Sequence, residues 1–202
     1  MTLRIWALKI GELKPLEREG LLLFGARCAM RVEPWLAPGG KVLWSRGLEH
    51  VVASAYSEAD PKAAAALRRE LSDRGAVASN NLATTDETLG RCMNYATQSL
   101  ARAIDVTCID EMPAMKKVII ETAKLSASIA GVLAHAGRVD VQAGGDPVDV
   151  ACTAMWNAIR ADVAVIVGAS ARLKSAQNRV QALHECAPLW LDGVPRWVTT
   201  QP

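Results

Sequence analysis

The side chains able to do chemistry in this chain are three histidines (His50, His135 and His184), five cysteines, and a small acidic group at Asp105, Asp110 and Glu111. A zinc protease needs two histidines one helical turn apart with a glutamate between them to act as base, because only that spacing turns both imidazoles toward one ion. Here the histidines fall on separate predicted helices, so a metal site would have to be assembled through the fold from His184, Glu185 and a distant ligand. Serine-based acyl transfer calls for Gly-x-Ser-x-Gly, which is absent, and no cysteine stands in a recognisable catalytic context. Asp105, Asp110 and Glu111 precede a helix expected to start near Pro113, where negative charge complements the helix dipole without a catalytic duty. The expectation is a protein that is not an enzyme and that holds no metal and no cofactor.

The segment "VAVIVGASARLKS", residues 163 to 175, has the apolar run and Gly-Ala-Ser of a nucleotide-binding turn. Dinucleotide binding, however, uses several glycines to bring backbone against a pyrophosphate, and only Gly168 is present. A glycine inside a helix, allowing close packing or a bend, is the simpler reading. Arg68, Arg69 and Arg74 form a short basic patch, but Glu70 and Asp73 are interleaved with them, as on a solvated helix face. Lys116, Lys117 and Lys124 around Glu121 read the same way. Nucleic acid is not an expected partner.

Two stretches remain as partner surfaces. The connection "GRVDVQAGGDPVD" places Asp140, Asp146 and Asp149 between two long helices, and long connections in helical domains often carry function. The plainer account is local: Asp146 caps the next helix, Asp149 lies in its first turn, and Asp140 is solvated. The ending "CAPLWLDGVPRWV" brings Trp190 and Trp197 together with two prolines. Pro188 stops the last helix, after which Trp190 folds back as a clasp on the bundle, or, if exposed beside apolar surface, Trp190 and Trp197 form an interface.

The elements that must position these residues are helical. Asp60-Pro61 and Asp146-Pro147 each put a capping acid before a proline at the first helical position, and Thr84 to Glu87 spells a capping box. Apolar residues at three- and four-residue spacing predict helices over 15–33, 41–57, 61–74, 85–105, 113–136 and 147–187, the last broken near Gly168. "APGG" at 37–40, "SNN" at 79–81 and the loop at 136–146 are the expected breaks. Val118, Leu125, Ile129 and Leu133 in one helix, and Ala151, Met155, Ile159, Ile166 and Val167 in the next, should face a common core that also takes Trp44 and Trp156. The fold class is all-α: one irregular bundle of six to seven mostly antiparallel helices over 1–202, with 1–14 an irregular arm and 188–202 a non-helical tail packed on the bundle.

Composition agrees. Half of the residues are hydrophobic, enough for a sizeable core, and 23 basic against 21 acidic groups leave a net charge of +2, too little to recruit nucleic acid or an anionic membrane. Residues 1–50 carry eight basic and five acidic groups and residues 105–150 four and seven, a mild tilt. The odd, widely spaced cysteines read as reduced core residues of a cytoplasmic protein. The start shows no secretory signal, and the longest apolar run, "ADVAVIVGASA", is too short to span a bilayer.

"LLLFGARCAMRVEPWL" at 21–36 and "APLWLDGVPRWV" at 187–198 resemble helical proteins of bacterial conflict systems, in particular immunity proteins of polymorphic toxins. The resemblance rests on Phe24, Cys28, Ala29 and Arg31, and on Pro188, Leu189, Trp190, Gly193 and Pro195. It implies a non-catalytic protein that binds a cognate toxin and occludes its active surface. It names no functional residue, since such proteins bind different toxins through different surfaces. The companion reading is a helical subunit of a larger bacterial defence or multiprotein complex.

Overall fold

A computed structural model describes residues 8–35, 41–139 and 145–190. Among them are seven α-helices and two short 3-10 turns, with no strand: α1 Arg18–Val32, α2 Lys41–Ser54, α3 Pro61–Ala83, α4 Glu87–Thr107, α5 Met112–His135, α6 Pro147–Ser175 and α7 Arg179–Glu185. The all-α bundle is as the periodicity predicts. Caps mark several of the boundaries. Asp60 accepts from the amides of Lys62 (2.9 Å) and Ala63 (3.3 Å), and Asp146 accepts from Val148 N (3.0 Å), each ahead of a proline that lacks the N–H the first turn cannot use.

α1 is the hub. Every residue from Leu21 to Val32 is buried, and α1 packs against α2, α4, α5, α6 and α7. Such a helix has no polar face, so its two arginines must be satisfied inside the protein. Arg27 and Arg31, one turn apart and 0% and 1% exposed, meet Asp162 of α6, itself 1% exposed. Arg27 Nε donates to Asp162 Oδ1 (2.6 Å) and Arg31 Nη2 to Asp162 Oδ2 (2.5 Å), so one carboxylate receives both guanidinium groups. Arg27 also donates to the carbonyls of Leu183 (2.9 Å), Ala187 and Pro188, anchoring α7 and the chain beyond it to α1. At its other end, Arg18 donates to the carbonyls of Thr107 and Ile109, which the end of α4 leaves without helical donors.

α4 packs along α3 and α5, and α5 lies against α1, α4 and α6. The interior carries a hydroxyl relay: Ser126 Oγ donates to the carbonyl of Cys28 (3.0 Å) and lies 2.9 Å from Ser99 Oγ, tying α1, α4 and α5 together. Trp44 and Trp156 are buried as expected, although the Trp44 indole N–H has no hydrogen-bond partner.

Several local expectations are corrected. The predicted break at "SNN" is helix: α3 runs to Ala83 because its last turns pack along α4, outweighing the weak propensity of Ser79, Asn80 and Asn81. Thr84 closes α3 instead of opening α4, and the cap of α4 is Asp86, which accepts from Leu89 N (3.1 Å). Gly168 does not break the last long helix, which ends at Ser175 and gives way to α7. Val167, assigned to the core, is 53% exposed, and Cys108 is exposed rather than buried.

The apolar run 161–171, short by itself, belongs to the 29-residue α6, and α5 and α6 are both long and apolar enough to cross a membrane by length and composition. In the fold, 56% and 44% of their most apolar windows are buried against other helices.

Gly168 lies on an exposed face, and a Cβ there would meet nothing within 4 Å. Gly168→Ala is therefore expected to stabilise the protein by roughly 0.5–1 kcal/mol through helix propensity alone, seen as a higher urea midpoint at unchanged slope.

Candidate functional site

A groove of 760 Å³ lies between α4, α5 and α6. Its lining follows from helical spacing. α4 presents Glu87, Thr88, Arg91 and Tyr95, α5 presents Lys124, Ala127, Ser128, Gly131, Val132 and His135, and α6 presents Val148, Cys152 and Trp156. Residues three and four apart lie on one helix face, so each set is a single stripe. α5 forms the floor, and its small residues Ala127, Ser128 and Gly131 leave room that longer side chains would fill. A Cβ on Gly131 would stand 3.5 Å from Cys152 Sγ, an ordinary contact, so a larger side chain fits only by entering the groove.

The walls are apolar and the rim is charged. Trp156 and Cys152 are buried beside the half-buried Tyr95, Val132 and Val148. Arg91, Lys124 and His135 are exposed around them, with Glu87 the one acid in the lining. Lys124 also donates to Glu121 Oε1 at 2.7 Å, the expected pairing on that face. At the start of α4, beside the groove residues Glu87 and Thr88, the cap Asp86 is ion-paired with Arg138. Desolvation pushes the Asp86 carboxyl up, but hydrogen bonds from Arg138 and the Leu89 amide outweigh it and hold the group below the ordinary range.

No nucleophile is prepared here. Burial, then the carboxylates of Asp149 and Asp146, push the Cys152 thiol up, the opposite of what an attacking thiolate requires. Among the described residues no three His, Cys, Asp or Glu side chains cluster as a metal site. The arrangement is suited to binding: an apolar body between Tyr95 and Trp156, with a negative group drawn to Arg91 and Lys124.

The residues singled out from sequence fall in three places. Asp146 and Asp149 begin α6, whose Val148 and Cys152 line the groove, so the acidic connection flanks it. Asp146 uses its carboxylate as the cap, whereas Asp149 is exposed. Trp190 is 5% exposed, with the Arg31 guanidinium 5.7 Å from its ring centroid, which is the clasp arrangement. Asp140 and Trp197 lie outside the described residues. The basic patch on α3 is largely paired, Arg68 with Asp105 (2.8 Å) and Arg74 with Glu70 (3.0 Å). Sequence reasoning passed over Arg91, Tyr95 and the α5 small-residue stripe, whose only signal is Ala127, Ser128 and Gly131 sharing a helix face.

The chain matches no family model, no curated protein and no solved structure. The groove's chemistry therefore has to carry the functional reading.

Proposed function

We propose that the protein is a non-enzymatic binding protein whose receptor surface is the groove of α4, α5 and α6, and that the occupant is an apolar segment of a protein partner flanked by an acidic side chain. The supporting observation is the groove itself: an aromatic and aliphatic trough between Tyr95 and Trp156 with Arg91 and Lys124 on its rim. A few side chains seated in such a trough dominate affinity, and the rim cations select the acidic flank. In the immunity reading the segment belongs to a cognate toxin, which is neutralised because the bound protein covers its active surface.

Co-expression with the product of the neighbouring gene tests this reading. The expected result is suppression of that product's toxicity and a stable complex on purification. Gly131→Leu, which fills the groove from its floor, is expected to weaken the complex by about tenfold or more while the thermal midpoint of the free protein does not fall. A complex that survives Gly131→Leu unchanged would remove the groove from the interface. A harmless neighbour that forms no complex would remove the immunity reading.

The subunit reading has separate support in the shallow shelf of Pro15, Val163, Ala164 and Val167, bordered by the Arg160–Glu12 ion pair, with Val167 53% exposed. Light scattering of the purified protein separates the two: a stable monomer fits the immunity reading, and association through the shelf, abolished by Val167→Glu, fits the subunit.

A further inference from the structure

A second site, separate from the groove, lies where α1 meets α7. Arg27, Arg31 and Asp162 bring two positive charges and one negative into the buried interior, leaving a net charge of +1. Arg27 distributes its donors over Asp162 and the carbonyls of Leu183, Ala187 and Pro188. Arg31 does not. Its Nη2 donates to Asp162 and to the carbonyl of Ala158 (2.8 Å), but Nε and Nη1 are buried with no hydrogen-bond partner. Buried polar groups are satisfied in nearly all proteins, and a charged one left with free donors calls for an explanation.

A cleft lies beside it. Arg31 and Trp190 both line a 550 Å³ cleft, walled by Met30, Pro34, Pro188 and Leu189. We infer that this cleft binds a small monocarboxylate with an apolar body, whose oxygen accepts from Arg31 Nη1 while its apolar part lies along Trp190 and Leu189. A water molecule could accept the same hydrogen bond, but a carboxylate also sets a negative charge in direct contact with the +1 of the Arg27, Arg31 and Asp162 cluster. Glu33 and Glu185 also line the cleft, neither paired with Arg31, and Glu185 accepts from Gln181 Nε2. These two acids oppose a multiply charged anion, which selects a carboxylate over a phosphate.

The probes are benzoate, its neutral isostere benzyl alcohol, and inorganic phosphate, titrated at constant ionic strength into the full chain with 15N-labelled arginine. The readout is the Arg31 Nε–H signal. Benzoate is expected to shift it saturably with a midpoint below about 10 mM, and the other two are not. His184→Glu, which adds a carboxylate to the cleft from the exposed side of α7, is expected to weaken benzoate about fivefold or more without altering the fold. Arg31→Lys keeps a charge but loses the planar donor set and is expected to cost about tenfold, read by the thermal shift that benzoate produces. Equal shifts with benzyl alcohol would show a water-filled cleft and overturn the proposal. So would the absence of any shift, a stronger response to phosphate, or benzoate affinity unchanged in His184→Glu.

Discussion

Asp162→Asn is expected to lower the free energy of unfolding by about 3–5 kcal/mol, a large part of the margin by which a domain of this size is stable. The carboxylate is 1% exposed and receives Arg27 Nε and Arg31 Nη2, so its neutralisation leaves two guanidinium charges buried with no counter-charge. The carbonyl contacts of Arg27 survive the substitution but carry only partial charge. A double-mutant cycle locates the cause. In Asp162→Asn combined with Arg31→Met, one of the stranded charges is gone, so the pair should cost less than the sum of its parts by about 1–3 kcal/mol. Urea unfolding followed by far-ultraviolet circular dichroism reads both values. A loss below about 1 kcal/mol for Asp162→Asn would mean that water reaches Asp162 and screens the two arginines.

The second large effect is steric. Gly90, in the first turn of α4, lies directly against the end of α3: an added Cβ would stand 2.8 Å from Ala83 Cβ, 2.9 Å from Ala83 N and 2.9 Å from the Ser79 carbonyl oxygen. Two of these three atoms are backbone, so no side-chain rotation relieves the contact and α3 must move away. That movement also strains the hydrogen bond from Ser79 Oγ to the Gly90 carbonyl (2.7 Å). Gly90→Ala is expected to destabilise by about 2–3 kcal/mol despite the better helix propensity of alanine. The contrast with Gly168→Ala is the control, since the same substitution on an open helix face should act in the opposite direction. If both substitutions stabilised, the close approach of α3 to α4 would be wrong.

The legible parts of this protein are those set within a few residues. Asp60 and Asp146 cap α3 and α6 because a carboxylate before a proline can reach the first free amides, and neither interaction needs the rest of the chain. Helical spacing placed Met155, Ile159 and Ile166 of α6 on a buried face for the same reason. Where a local signal failed, a neighbouring helix had outweighed it. "SNN" has weak helix propensity and became helix because α4 packs beside it. Thr84 and Asp86 are both good caps two residues apart, and the end of α3 took one while the start of α4 took the other.

Tertiary structure alone decided the buried charge cluster and the groove. Nothing local distinguishes Arg27 and Arg31 from solvated arginines, because their counter-charge lies 135 and 131 residues away and meets them only through the crossing of α1 and α6. The groove has the same origin. Arg91 with Tyr95, Ala127 with Gly131, and Val148 with Trp156 are each an ordinary stripe on one helix, and residue spacing determines only that each stripe shares a face. Which three faces meet is set by helix packing, where the bulk and charge of many distant side chains choose among crossing geometries that no single segment encodes.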